Sequence, residues 1–161
     1  MSQLSTSQIN TFINAHDTYR ANVNPPAANP IQQLVWSPDL ATEASNWASQ
    51  CAFAHSGTPG VGENIYVTSA RTPNVTNFDP NSAISSWGAE KQYYNYNTNS
   101  CEGNNVCGHY TQMVWANSKN LGCGVQDCPN LKNVPPSWPN GGTLVVCQYT
   151  PQGNWVGQRP Y

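Results

Sequence analysis

Six cysteines in 161 residues constrain this chain more than any other feature of its sequence. Cys51, Cys101, Cys107, Cys123, Cys128 and Cys147 form an even set confined to the later two-thirds of the chain. A structural zinc site asks for CxxC pairs, whereas the tightest spacings here are Cys101 to Cys107 and Cys123 to Cys128. Three disulfides are therefore expected, and with them an oxidising, extracellular setting. The chain opens MSQLSTSQ, which lacks the basic and apolar regions of a signal peptide and reads as a mature form carrying an initiator Met. The sequon Asn74-Val75-Thr76 agrees with secretion and makes Asn74 a glycosylation candidate.

Such staples supplement a core rather than replace one. Six tryptophans and eight tyrosines supply bulky apolar material, and a chain of this length fits one domain over residues 1–161. Thirteen prolines and twelve glycines predict many loops. Only 9 % of residues are charged, the net charge is −2, and the six basic residues are scattered singly. That leaves no basic stripe to neutralise phosphates, so nucleic acid is not an expected partner. No apolar run is long enough to span a membrane.

Helix signals are local and specific. Ser5 and Gln8 form a capping box with Leu4 and Ile9 as its staple, and Ile9, Phe12, Ile13 and Tyr19 follow at helical spacing up to the proline-rich loop at Pro25. Ser37-Pro38 opens a second helix with Leu40, Ala44, Trp47 and Cys51 on one face. Asp79-Pro80 opens a third with Ala83, Ile84, Trp87 and Tyr94 inward, and a short fourth fits Gly108 to Trp115. Strands are expected at Asn64–Val67, Leu121–Gln126 and Thr143–Tyr149, and a long loop over Pro129–Gly142. Helices mixed with strands point to a layered α+β domain.

Four polar residues stand out against this pattern. Glu90 shares a helical face with Ala83, Trp87 and Tyr94, where a carboxylate is costly unless it is paired, or unless the helix is turned to leave it at a rim. His55 and Glu63 bracket HSGTPGVGEN, a stretch whose glycines allow tight reversals that fold the two side chains toward each other. His109 opens the fourth helix. Singly, each histidine fits an ordinary hydrogen-bonded structural role; together, His55, Glu63, Glu90 and His109 make a candidate shared site.

Several segments, in order, resemble one family. GHYTQMVWANSKNLGCG and VVCQYTPQGNW resemble the two signatures of the CAP superfamily, which comprises cysteine-rich secretory, antigen 5 and pathogenesis-related group-one proteins. CAFAHS, GENIY, SWGAEKQYYNY and INTFINAHDTYRANV match its other landmarks, so the resemblance covers about Gln8 to Tyr161 and is closest in pattern to plant and fungal group-one proteins. It implies a three-layer α/β/α sandwich with a central cavity lined by His55, Glu63, Glu90 and His109. His55 and His109 are the implied ligands of a weakly held divalent cation, zinc foremost. The implied disulfides are Cys51–Cys123, Cys101–Cys107 and Cys128–Cys147. Two departures are visible: Gln148 stands where the family usually has Asn, and the loop between Cys128 and Cys147 is extended.

The resemblance also sets the functional expectations. The first is a secreted monomer or weak dimer that binds sterols or other small lipids in defence or host–microbe settings, with the segment Tyr66 to Phe78 near the implied lipid loop. The second is a precursor whose tail, PQGNWVGQRPY from Pro151 to Tyr161, is released as a signal for a receptor, although Thr150 replaces the Asp that commonly precedes the cut. The third is a metal-dependent hydrolase. No HExxH, nucleophile elbow or Ser–His–Asp pattern supports it, and the expectation is that the protein is not an enzyme.

Overall fold

The computed structural model describes residues 3–161. Ser5 caps helix α1 (Thr6–Ala21) with both bonds of the capping box formed, because the signal depends only on residues three apart. Strand β1 (Val35–Trp36) is followed by α2 (Pro38–Ala48), then β2 (Gly62–Thr68), a single turn at Val75–Asn77, and α3 (Asn81–Gly88). A tight 3₁₀ turn over Ala89–Tyr93 continues α3 into a small hairpin, β3 (Tyr94–Asn95) and β4 (Ser100–Cys101). Helix α4 (Gly108–Met113) and the long strands β5 (Asn120–Cys128) and β6 (Gly142–Thr150) complete the order.

The main sheet runs β1-β5-β6-β2, with β1 parallel to β5 and the other neighbours antiparallel. Helix α2 covers one face; α1, α3 and α4 cover the other, giving the expected α/β/α sandwich. The pleat divides β6 cleanly. Val145, Cys147 and Tyr149 enter the larger core with Phe12, Trp87 and Met113, while Leu144 and Val146 meet Ala44 and Ala48 of α2. Close approach of α2 explains the GCG segment: a Cβ at Gly122 would lie 2.2 Å from the backbone nitrogen of Ala41, and one at Gly124 would lie 2.6 Å from the Cα of Ser45.

Of the apolar residues at helical spacing in α1, only Phe12 is fully buried. The buried residues are Gln8, Phe12, His16 and Arg20, with Ile9, Ile13 and Tyr19 only flanking. Three polar side chains enter the core because each finds partners there. Gln8 Nε2 donates to Val75 O and Phe78 O. Arg20, 2 % exposed, donates to the carbonyls of Gln32, Met113, Trp115 and Ser118, which ties α1 to the end of α4. His16 Nδ1 lies 2.7 Å from Phe12 O and must donate to it, so its Nε2 accepts from the Tyr149 hydroxyl at 2.6 Å. Other differences are at element ends: Cys51 lies beyond α2 with φ of 51°, and Tyr94 belongs to β3 rather than to the third helix.

Two expected disulfides are corrected. The bonds are Cys51–Cys128, Cys101–Cys107 and Cys123–Cys147, so only the middle pair matches the resemblance. Register decides it: Cys123 and Cys147 are direct cross-strand partners on β5 and β6, leaving Cys51, just after α2, to reach Cys128 at the far end of β5. The tail, residues 151–161, is held along its length. Ser118 Oγ donates to Pro151 O, Ala116 N donates to Pro160 O, and the Tyr161 ring stacks on Tyr96 with centroids 4.5 Å apart. Asn74 is exposed at the head of its turn. Among the described residues no helix is long and apolar enough to cross a membrane.

Two outcomes follow from this architecture. Loop-closure entropy ranks the bonds by the segment closed, 77, 24 and 6 residues apart in sequence. Pairwise Cys→Ser replacement is thus expected to cost about 4.5, 3.5 and 2.5 kcal/mol for Cys51–Cys128, Cys123–Cys147 and Cys101–Cys107 respectively. Denaturant melts measure the ranking, and non-reducing peptide maps check the pairing. The second outcome concerns pH. Burial lowers the His16 pKa to about 4 from 6.5, so the unfolded chain binds a proton that the folded one refuses between those values. Stability is therefore full above about pH 6.5 and falls by about 3 kcal/mol as the pH drops to 4. His16→Gln should flatten that part of the stability profile.

Candidate functional site

Glu90 sits on the 3₁₀ turn after α3, at the point where the chain comes up against the start of α4. Helix α4 has no side-chain cap of its own, since its preceding residue, Cys107, makes no capping bond. Glu90 fills that gap from seventeen and more residues upstream in sequence. Its Oε1 accepts from the backbone amides of His109 at 2.9 Å and Tyr110 at 3.1 Å, and its Oε2 accepts from His109 Nδ1 at 2.6 Å. One carboxylate thus satisfies two free amides at a helix N-terminus and fixes an imidazole. The Trp87 ring lies parallel to the His109 ring, 7° between planes with centroids 6.1 Å apart, and limits its swing. The carboxylate that sequence made anomalous on an apolar face is paired, with 14 % of its side chain exposed.

His55 and Glu63 repeat the arrangement at the start of β2. Glu63 Oε1 accepts from His55 Nδ1 at 2.9 Å and from the Ser56 amide at 2.8 Å. Its Oε2 accepts from Gln148 Nε2 at 3.0 Å, and Gln148 is the residue directly opposite Glu63 on β6. Burial pushes the Glu63 carboxyl up, but the bonds from Gln148, Ser56 and His55 outweigh it and hold the group below the usual carboxylate range. Gln148 turns its NH₂ toward this carboxylate and leaves its own Oε1 as a buried atom without a partner. The substitution that sequence marked as a departure is therefore a Glu63 donor. The His55 side chain is 68 % exposed, against 6 % for Glu63, so the ring stands at the surface on a buried anchor.

The four expected residues therefore meet as two His–Glu pairs. Strand β2 is an edge strand, and its pleat sends Glu63 toward the α2 face with Gln148, while Asn64 points to the opposite face. There Asn64 Nδ2 donates to His109 O at 2.9 Å and to the Tyr149 hydroxyl at 3.2 Å. The Glu63–Asn64 peptide thus links the pairs across the strand. A cavity of about 430 Å³ beside the first pair is lined by His55, Glu63, Gln112, Gln152 and Asn154, without Glu90 or His109. Gln112, which lines this cavity, belongs to α4, the helix that also carries His109.

In both pairs the carboxylate can only accept, so each Nδ1 carries a proton toward it, and Nε2 makes no hydrogen bond within the described residues. Carboxylate-oriented imidazoles of this kind suit a divalent metal such as zinc. Among the described residues no three His, Cys, Asp or Glu side chains come close enough to hold a metal, so a closed structural centre does not fit. The donor set fits an exchangeable ion completed by water. Sequence reasoning missed Asn64, Ser56 and Gln148; only the GEN segment and the unusual Gln148 carried any signal for them.

A family model described as the cysteine-rich secretory protein family, CAP, matches residues 13–149. GLIPR1-like protein 1 of Mus musculus is 37 % identical over 164 residues, covering 95 % of this chain and 63 % of its own length. The chain thus spans less than two thirds of that relative. Pathogenesis-related protein 1 of Arabidopsis thaliana is 38 % identical over 154 residues, covering 93 % of this chain and 80 % of its own length. Among solved structures, NaASP2 with Zn²⁺ superposes with a TM-score of 0.72 at 27 % identity, covering 98 % of this chain and 86 % of that one. If Glu90 caps α4 as described, Glu90→Gln keeps the shape but loses the charge. It should cost about 2 kcal/mol in denaturant melts. The same change should release the His109 ring, seen as exchange broadening of its NMR signals.

Proposed function

Because the chain belongs to the cysteine-rich secretory protein (CAP) family, we propose that it is an extracellular binding protein whose two His–carboxylate pairs hold a divalent cation loosely. The observation that carries the reading is the shared orientation of the rings. Each Nδ1–H is committed to a buried or half-buried carboxylate, and each Nε2 is left free. His55 and His109 are the residues that would hold the ion; Glu63 and Glu90 raise the basicity of the rings and fix their tautomer. A bound cation would supply an electrostatic anchor for an anionic or polar group of a partner.

The arrangement supports binding over turnover. Among the described residues no serine hydroxyl meets His55 or His109: Ser56 Oγ pairs with Thr58, and the cysteines are all in disulfides. The extracellular assignment rests on the three disulfides together with the family. A sterol or small-lipid partner and a defence role belong to the same reading and rest on the family alone, since Tyr66 and Phe78 pack on each other, with centroids 6.5 Å apart, and Phe78 is buried. Release of a signal peptide is the weaker reading, because the tail would have to give up its contacts with Ser118, Ala116 and Tyr96.

Zinc titration followed by NMR of the histidine rings tests the proposal. Saturable shifts at both His55 and His109, reversed by EDTA, are expected. Affinity should fall roughly tenfold in Glu63→Gln or Glu90→Gln. Zinc that moves neither ring, or that binds a His55→Ala/His109→Ala variant as well, would refute it.

A further inference from the structure

Lined by other residues than the His55 cavity, a groove runs between the end of α1, the 3₁₀ turn after α3 and the β3–β4 hairpin. It comprises two adjoining hollows of about 550 and 560 Å³ that share Asn24, Gln92, Tyr94 and Tyr96. The first is floored by Tyr110 and Tyr161, and the second is edged by Asn95 and Asn97. Tyr110 is 3 % exposed, yet its hydroxyl has no hydrogen-bond partner among the described residues, and the side chain lines the hollow. The Tyr161 hydroxyl also has no hydrogen-bond partner among the described residues. Burial pushes the Tyr110 phenol up and, with the neighbouring Tyr96 and Tyr94, pushes Tyr161 to about 12, so both remain O–H donors at neutral pH.

The chemistry of this lining selects an occupant. The amides of Asn24 and Asn97 make no side-chain bonds within the described protein, and Asn24 and Gln92 are exposed at the rim. Lys91 Nζ is bonded to Asn22 O, and the Arg159 guanidinium is spent on Tyr96 O and Asn97 O, so among the described residues no free cation faces the groove. A fatty chain laid here would strand the buried phenol against hydrocarbon, which is costly. An anion would find no unengaged positive partner. Aromatic walls, with amides and hydroxyls between them and the exposed Glu102 carboxylate as a further acceptor, suit a ligand with apolar C–H faces and a rim of hydroxyls. Such C–H groups carry slight positive charge and pack on the negative faces of aromatic rings.

We propose that this tyrosine groove is a binding site for a neutral oligosaccharide. A sugar ring packs against Tyr94 beside the stacked Tyr96–Tyr161 pair, and a ring hydroxyl accepts from Tyr110. The proposal stands apart from the cation reading, since it shares no residue with either His–Glu pair.

Titration of ¹⁵N-labelled protein with laminarihexaose and chitohexaose, with sodium laurate as the lipid probe, tests it. Saturable shifts confined to residues 24–25, 88–102, 110 and 161 are expected with at least one hexasaccharide. Tyr110→Phe, which removes only the hydroxyl, should weaken binding about fivefold with an unchanged melting temperature. Asn24→Ala/Gln92→Ala, at exposed positions, should weaken it by a similar factor. The proposal is overturned if neither sugar saturates, if the shifts map elsewhere, if both variants bind as the parent does, or if laurate alone fills the groove.

Discussion

The grip of Glu90 on the first turn of α4 is the interaction on which the site depends. A six-residue helix without its own cap is marginal in isolation, and here two of its free amides end on one carboxylate. The same group then takes the His109 ring proton, so the local fold of α4 and the aim of its imidazole are set by one residue. Trp87, on the helix that delivers Glu90, completes the clamp by lying parallel to the ring. Shifting any of these would disturb secondary structure and side-chain orientation together.

A buried polar chain carries this local arrangement into the body of the protein. Asn64 donates to His109 O and to the Tyr149 oxygen, Tyr149 donates to His16 Nε2, and His16 Nδ1 donates to Phe12 O. Edge strand, central strand and α1 are thereby connected through groups that have no water to fall back on. Arg20 does the same work one helical turn along, where four carbonyls share its charge without a carboxylate and burial lowers its pKa to about 10. Both devices convert an inward polar stripe on α1 from a cost into a fixed register between layers.

What the sequence disclosed is what short-range chemistry encodes. The capping box at Ser5 and Gln8, the Ser37-Pro38 start and the β-prone run at Thr143–Tyr149 depend on near neighbours, and each lies where it was expected to within a residue or so. Glu90 drew notice because a carboxylate among apolar residues asks for partners. The identity of those partners, backbone amides of α4, is a long-range matter. The inward face of α1 was hidden for a related reason: a hydrophobicity pattern scores Gln8, His16 and Arg20 as solvent-facing, and only their distant acceptors reverse that. Two of the three disulfides that the resemblance implied differ for a related reason, because whether Cys147 meets Cys123 or Cys128 is a question of strand register. That His109 pairs with Glu90, nineteen residues away in sequence, is likewise legible only once α4 is docked beside the turn after α3.

The account stands or falls on the protonation of two imidazoles. Long-range ¹H–¹⁵N correlation spectra of His55 and His109, recorded just above neutral pH on metal-free protein, read the tautomer of each ring. The account predicts the Nδ1–H form at both, with Nε2 showing the shift of an unprotonated nitrogen. An Nε2–H ring at either position would mean that its carboxylate is not the acceptor described here, and would contradict the site.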